Sequence, residues 1–240
     1  MSSLSSLGLG ISHKKSFAKY LSRIRSLQVE NLLGSHSVLK FGWDMILLTS
    51  QTLTTLNLSG YDRGKFYLDN ALWIWCANEK IPHNTDDIWD LPPSRPLQDF
   101  PFDLGRLPAL RHFTVQLPAW FSRHLVVLRF LIRLLSISSS ASGIETLELK
   151  IFWCEVDDPD LILDFFSFAS EWMILDQVLT SAKFVSLRKV VLDWVLEVTD
   201  IHARPSWEFH NFSLDRLFPK LKRRCILEAP LEIAYPPHDH

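Results

Sequence analysis

Five short segments of the chain share one spacing of apolar side chains. In each segment two apolar residues stand three positions apart, and a third follows two positions later with mostly polar residues between them. The alternation in the second half of each segment is typical of a short strand with one buried face. We call these segments rungs, and they are Ile24/Leu27/Val29, Leu53/Leu56/Leu58, Leu110/Phe113/Val115, Ile144/Leu147/Leu149 and Leu187/Val190/Leu192.

The recurrence of the rungs indicates a repeating unit rather than five unrelated strands. The rungs begin at residues 24, 53, 110, 144 and 187, which gives steps of 29, 57, 34 and 43 residues. Steps of this length accommodate one strand and one helix. The 57-residue step is close to twice 29, which predicts a degenerate rung hidden inside it.

The segments between the rungs have helical periodicity. In residues 37–50 the spacing predicts one apolar face, and in residues 122–136 it predicts another, with Ser122 as the N-cap. The predicted faces are Val38, Phe41, Met45 and Leu48 in the first helix and Leu125, Leu128, Ile132 and Leu135 in the second.

Two further helical regions carry recognisable start signals. After the fourth rung, Asp158 is a candidate N-cap with Pro159 at the first helical position, and Ser170 is a candidate N-cap for a second helix. Near the C-terminus Leu214, Leu217, Phe218 and Leu221 have helical spacing. Pro219 lacks an amide N–H, so it should kink or restart that helix.

One region departs from this alternation of strands and helices. Residues 81–108 hold six prolines and five aspartates, a composition that disfavours regular structure. We predict a Pro/Asp-rich loop or insertion over residues 81–108, inside a single domain that covers residues 1–240.

Composition narrows the class of protein. An apolar content of 47% and a charged content of 22% are those of a globular chain. The net charge of −2 argues against a nucleic-acid partner. The absence of a run of about 20 apolar residues argues against a membrane partner, and the N-terminus is a poor signal peptide, so we expect an intracellular, cytoplasmic or nuclear protein.

The sequence contains no recognisable catalytic or metal-binding motif. Its three cysteines, Cys76, Cys154 and Cys225, are far apart and form no CxxC pair, so we expect buried reduced thiols rather than disulfides or a zinc site. No phosphate-binding glycine loop, nucleophile elbow or HExxH pair occurs. We therefore predict a protein that is not an enzyme and that takes no cofactor or metal.

The rungs resemble leucine-rich repeats. The C-terminal stretch "LDQVLTSAKFVSLRKVVL" followed by "LFPKLKRRCILEA" is similar to the closing units of fungal F-box/leucine-rich-repeat proteins. The resemblance implies an α/β fold: an irregular solenoid arc with parallel strands on its concave face and helices on its convex face. By the same resemblance, Leu187, Val190 and Leu192 are core positions, and Pro219, Leu221 and Arg224 belong to the closing unit.

The resemblance covers residues 20–230 but does not extend to the F-box. Residues 1–40 contain no Leu-Pro pair, and most rungs lack the Asn that ties neighbouring turns together in the family; only Asn31 stands near the expected place. Two interpretations stay open, a family member that has lost its F-box and a gene model that begins too late.

The strand positions between the core residues should face the concave side. These positions are polar and of mixed charge, which suits a protein or peptide partner, although solvated side chains are the default on such a face. The predicted partner-binding residues are Gln28, Glu30, Asn57, His112, Thr114, Gln116, Glu148, Lys150, Lys189 and Asp193, with Thr55, Ser59, Thr146 and Val191 beside them.

Three functional hypotheses follow. The first is a non-catalytic protein–protein interaction module with a protein partner of unknown identity, acting as the substrate-recognition part of a ubiquitin-ligase-type F-box protein. The second is an enzyme of an unrelated α/β fold, whose doubly wound sheet would place a cleft at the carboxyl ends of the strands. The third is a degenerate fragment without selected function, for which an uncapped apolar end and a heavy aromatic content predict self-association.

Overall fold

The structure is a computed structural model that describes residues 23–30, 36–59, 103–119, 124–137, 142–167, 169–199, 204, 206 and 213–234. Within these ranges strands and helices alternate along the chain. The strands are β1 (Ser26–Glu30), β2 (Thr55–Ser59), β3 (His112–Ala119), β4 (Thr146–Val156), β5 (Lys189–Val198), β6 (Leu227–Glu228) and β7 (Leu231–Ala234). The helices are α1 (His36–Leu48), α2 (His124–Ser136), α3 (Ile162–Phe166), α4 (Ala169–Leu179) and α5 (Pro219–Arg223).

All seven strands belong to one parallel sheet in which the spatial order follows the chain order. The five predicted rungs are in register, because Ser26, Thr55, His112, Thr146 and Lys189 lie side by side across β1 to β5. The prediction of an α/β chain with a parallel sheet is therefore confirmed.

No strand lies at the place of the hidden rung predicted between the second and third rungs, because β2 pairs directly with β3 through Thr55 and His112. Residues 60–102 of that step lie outside the described part of the chain. The predicted Pro/Asp-rich loop covers residues 81–108, of which residues 81–102 lie outside the described part of the chain. The last six residues, 103–108, include one 3-10 turn, and they place Leu104 and Leu107 in the core.

A backbone contact repeats at each junction between successive rungs. The carbonyl oxygens of Arg25, Thr54, Arg111 and Glu145 each accept hydrogen bonds from two consecutive amides of the next rung, at 2.8–3.1 Å. Side chains strengthen the first of these junctions, since Thr52 donates to Ile24 O at 2.9 Å and Thr54 donates to Arg25 O at 3.0 Å. These contacts tie neighbouring units together without the Asn expected of the family; Asn31 lies outside the described residues.

The core lies between the sheet and the helices. The apolar rung positions of β2 to β5 are buried, whereas Ile24, Leu27 and Val29 of the first rung are only partly buried. Strands β4 and β5 extend the alternation beyond the rungs and bury Trp153 and Trp194.

The apolar face predicted for α1 was partly wrong. Trp43 and Ile46 are the buried residues, while Leu48 is 54% exposed. Three consecutive apolar residues at 46–48 allow more than one helical face, and packing selects the face that contains Ile46. In α2, Leu128 and Leu135 are buried as predicted, together with Leu131 and Leu134, and Ile132 is half-buried.

The N-cap predictions had mixed outcomes. Asp158 accepts a hydrogen bond from the Asp160 amide at 2.9 Å, with Pro159 at the first helical position, as predicted. Ser170 is not an N-cap, because α4 begins at Ala169. Ser122 lies outside the described residues. The restart at Pro219 is confirmed, since a 3-10 turn ends at Arg216 and α5 begins at Pro219.

The N-terminus of α5 is capped by a side chain from another helix. Its own N-cap residue, Phe218, makes no side-chain capping bond. Instead the carboxylate of Asp176 in α4 accepts the amide N–H groups of Lys220 at 3.0 Å and Leu221 at 2.9 Å. Asp176 is 1% exposed, so this contact satisfies otherwise unpaired donors inside the protein. It fixes the closing helix to the preceding unit.

Strands β6 and β7 together form a sixth rung that the sequence pattern missed. Val190 pairs with Leu227 and Trp194 pairs with Leu231, so both strands keep the same register against β5. The strand is interrupted at Pro230, which lacks an amide N–H. In this register Arg224 occupies the first rung position and Ala229 the third, which explains why the apolar spacing was not recognisable.

Cys225 is exposed, which corrects the expectation of a buried thiol, and it has a positive φ of 54°. It follows the C-cap of α5 in a Schellman-type ending, where its amide donates to Lys222 O at 2.9 Å and the Ile226 amide donates to Leu221 O at 3.4 Å. The side chain of Cys154 and all of Cys76 lie outside the described part.

Cys225→Gly should raise the free energy of unfolding by about 0.5–1 kcal/mol. Glycine removes the left-handed strain, and its larger unfolded-state entropy offsets only part of that gain. Urea denaturation followed by tryptophan fluorescence measures the change. Arg223→Gly, at the last residue of α5, should instead lose about 1 kcal/mol. Equal effects of the two substitutions would contradict the strain argument.

Candidate functional site

The strand positions between the core residues form one surface, which we call the polar face. Sheet register arranges these positions in three cross-strand rows over β1 to β5. The rows are Ser26/Thr55/His112/Thr146/Lys189, Gln28/Asn57/Thr114/Glu148/Val191 and Glu30/Ser59/Gln116/Lys150/Asp193. All ten residues predicted to bind a partner therefore occupy positions on the same side of one sheet.

Exposure varies across the polar face. Gln28, His112 and Lys189 are exposed, and most of the other members are half-buried. Ser59 is only 4% exposed, so its expected place on the accessible surface was wrong. The backbone of Glu30 pairs with Ser59, and the Glu30 side chain lies outside the described part of the chain.

The charged side chains at the β4 and β5 end of the polar face, together with Glu228 of β6, are held in ion pairs, with three carboxylates against two lysines. Lys150 contacts Glu148 and Asp193, each at 3.2 Å, and Thr114 donates to Glu148 at 3.0 Å. Lys189 pairs with Glu228 of β6 at 2.8 Å. This half of the polar face therefore presents ion pairs rather than free charges.

Lys150 is the centre of the larger network. Partial burial alone would lower the pKa of Lys150, but hydrogen bonds and Coulombic attraction from Glu148 and Asp193 outweigh it, so the pKa lies above its usual value. Lys150 is therefore a fixed cation, held between two carboxylates, and not a proton donor or acceptor near neutral pH.

The half of the polar face over β1 to β3 is mainly neutral. Gln28, Thr55, Asn57, His112 and Gln116 supply amide, hydroxyl and imidazole groups. The Oδ1 atom of Asn57 is buried, and no donor in the described part of the chain reaches it.

Sequence reasoning missed a fourth row. Beyond the rungs, Pro118 pairs with Phe152, Phe152 with Val195, and Val195 with Glu232. Phe152 and Val195 are half-buried and give the polar face an apolar border. Continuing the alternation of β4 and β5 past the rung pattern would have identified both residues.

A cavity of about 260 Å³ lies away from the polar face, before the amino ends of β3, β4 and β5. Arg111 is the one ionisable residue among those that line it. Its guanidinium donates to the carbonyl oxygens of Pro108 at 3.0 Å and Leu110 at 3.1 Å, and it lies 3.6 Å from Glu145. This arrangement stabilises the turn and provides no nucleophile–base pair.

The described residues also offer no metal site, since no three His, Cys, Asp or Glu side chains among them cluster suitably. Nor does any helix in the described ranges have the length and apolar character needed to cross a membrane. No protein family model, curated protein or solved structure is significantly similar to this chain.

Proposed function

We propose that the protein is a non-catalytic protein–protein interaction module, built as an irregular leucine-rich-repeat-like solenoid arc, and that the polar face lies on its concave side. The observation that supports this most directly is the register of the five rungs. It aligns all ten predicted binding residues in three rows on one face of a sequentially ordered parallel sheet.

The geometry of the polar face favours a polypeptide ligand. Side chains on neighbouring strands stand about 4.8 Å apart, and alternate residues along a strand stand about 6.6 Å apart. The neutral half can therefore donate and accept hydrogen bonds at the regular intervals at which an extended chain presents its own groups. Paired charges on the other half disfavour ligands of high charge density, because binding them would require breaking ion pairs.

The size of the polar face indicates that its partner reaches beyond it. Three rows across five strands cover a projected area of about 480 Å² at standard sheet spacings. A stable protein–protein interface buries about 800 Å² on each partner. The polar face would thus be the central part of a larger contact that continues onto neighbouring surfaces.

The resemblance to F-box/leucine-rich-repeat proteins extends the proposal to a role in ubiquitination, in which the bound partner is a substrate.

The enzyme hypothesis receives less support, because the described strands lack the reversal of strand order at which a doubly wound sheet forms its cleft. The degenerate-fragment hypothesis is supported by the first rung, where Ile24, Leu27 and Val29 are only partly buried. Monomeric, cooperative unfolding would argue against that hypothesis.

Site-specific photo-crosslinking tests the proposal. A photo-reactive residue at Gln28, His112 or Gln116 should crosslink to the partner in cells, whereas one at Met173 or Gln177 on α4 should give only background. The α4 positions are suitable controls because both are exposed and lie on the helical side of the core. Crosslinks confined to α4 would overturn the assignment of the polar face.

The ubiquitination role has a separate readout. If the crosslinked partner is a ligase substrate, depletion of this protein should reduce the ubiquitin conjugates on that partner. Unchanged conjugates would refute the ligase role and leave the interaction module intact.

A further inference from the structure

Cations without a carboxylate partner are concentrated beside the polar face. Residues 216–225 hold five Lys/Arg, all exposed. Of these, Lys222 pairs with Asp215, but no ion pair within the described part of the chain neutralises Arg216, Lys220, Arg223 or Arg224. The same holds for exposed Arg188 at the start of β5. The charged side chains of the polar face on β4 and β5 are paired, so this second surface has a different electrostatic character.

Four of these five unpaired cations lie around the junction of α5 with β5, and we call them the basic closing face: Arg188, Lys220, Arg223 and Arg224. Lys220 and Arg223 lie on α5 and Arg224 is its C-cap, so their i, i+3 and i+4 spacing places them on one side of the helix. Arg224 donates to Leu187 O at 3.1 Å, which brings its guanidinium next to the Arg188 backbone.

The basic closing face is held in place before any ligand binds. Asp176 anchors the first turn of α5 through the Lys220 and Leu221 amides, and Leu221 is buried in the core. Arg223 donates to Pro219 O at 3.2 Å within the helix. Fixed guanidinium groups lose less conformational freedom on binding and retain free N–H groups suited to bidentate contact with carboxylates.

We propose that the basic closing face binds an acidic polypeptide segment of the partner that occupies the polar face. Position supports this, because Lys189 of the first row directly follows Arg188 and pairs with Glu228, which lies opposite Val191 of the second row. Asp215 and Glu228 are held by Lys222 and Lys189 in the same closing unit. A polypeptide can place single carboxylates beside the unpaired cations without breaking these pairs, whereas the dense phosphates of a nucleic acid would compete for the two lysines.

This inference rests on the proposed function, since it describes the chemistry of the same partner. It adds a specific expectation: the partner should carry Asp or Glu residues next to the segment that contacts β5, and its association should weaken as salt concentration rises. Contacts on the neutral half of the polar face should depend little on salt.

Fluorescence anisotropy with a short labelled peptide of alternating Glu and Ser tests the inference on the full chain. The peptide should bind, and Arg188→Ala/Arg223→Ala should weaken its binding about tenfold, a change of about 1.4 kcal/mol. Neither side chain makes a described contact between units, and the substitution keeps the Arg188 amide that donates to Glu145 O, so the double variant should unfold at the same urea concentration as the parent protein.

The control is Lys222→Ala, which removes one cation that is already paired with Asp215. It should change the affinity for the acidic peptide by less than about twofold. Three results would overturn the inference: no binding of the acidic peptide, equal weakening by Lys222→Ala, or tighter binding of an oligothymidine with the same charge. Asn57→Ala should leave binding of the acidic peptide unchanged. The two proposals are therefore tested separately: absence of crosslinks from the polar face contradicts the proposed function, whereas absence of peptide binding contradicts the role of the basic closing face.

Discussion

Replacing Asp176 with Ala should lower the free energy of unfolding by about 3 kcal/mol. The carboxylate accepts two backbone N–H groups at the start of α5 while it is almost fully buried. Hydrogen bonds to a charged group contribute about 1.5–3 kcal/mol each, and the substitution leaves both donors without an acceptor in a site that water reaches poorly. Urea denaturation followed by tryptophan fluorescence measures the loss.

Two further substitutions separate the capping role from a general effect on α4. Gln177→Ala changes the neighbouring exposed residue and should shift stability by less than about 0.5 kcal/mol. Asp176→Asn keeps one acceptor oxygen but turns an amide donor toward the second N–H, so it should lose about 2 kcal/mol. A loss below about 1 kcal/mol for Asp176→Ala would mean that the two amides find other acceptors.

The consequence for function is local. Asp176 positions α5, and α5 carries three of the four residues of the basic closing face. The Ala variant should therefore weaken binding of the acidic peptide even at low urea concentration, where the sheet remains folded. The same variant should leave crosslinking from Gln28 on β1 unchanged, because β1 lies at the opposite edge of the sheet.

The spacing of the rungs predicted the sheet well because each rung encodes its own register. An apolar residue at the first, fourth and sixth position can be buried on one side in only one alignment, and that alignment places Leu56 beside Phe113 and Leu147 beside Val190. The polar face follows from the same alignment, since the remaining positions must point the other way. The rows of the site were therefore predictable without a structure.

Contacts between units were not predictable from such local patterns. In the sequence nothing distinguishes Asp176 from an ordinary polar residue of a helix, because the two amides that it caps lie 44 and 45 residues further along the chain. The sixth rung was not recognised in the sequence for a related reason. Arg224 and Ala229 replace two of its apolar positions, and only the pairing of Val190 with Leu227 identifies the strand.

The pairing of charges also depends on three-dimensional register. Glu148 and Lys150 are two apart on one strand, which brings them to the same side, but the contact of Lys150 with Asp193 requires β4 and β5 to align residue for residue. Only that alignment distinguishes the ion-paired half of the polar face from the basic closing face. A count of charges along the sequence treats the two surfaces alike.

An aromatic cluster connects the long strands to the closing unit. The ring of Trp172 in α4 lies 5.5 Å from that of Trp194, 5.4 Å from that of Phe218 and 6.0 Å from that of Phe166. Trp194 also packs 5.8 Å from Trp153 across β4 and β5. Trp172 is 0% exposed and is the member that contacts both the strand and the segment leading into α5. The pairs of Trp172 with Trp194 and with Phe218 are edge-to-face, and such pairs add about 0.5–1.5 kcal/mol each beyond burial.

Trp172→Ala should therefore lower the free energy of unfolding by about 4 kcal/mol, because it leaves a large cavity between three aromatic rings that are fixed by separate elements. Trp172→Phe keeps part of the volume and should lose about 2 kcal/mol. Met173→Ala, at a neighbouring residue that is 47% exposed, serves as the matched control and should lose less than about 0.5 kcal/mol. Urea denaturation monitored by circular dichroism is the appropriate measurement, since the substitution changes the fluorescence signal itself. Equal losses for Trp172→Ala and Met173→Ala would show that the cluster does not join the closing unit to the sheet.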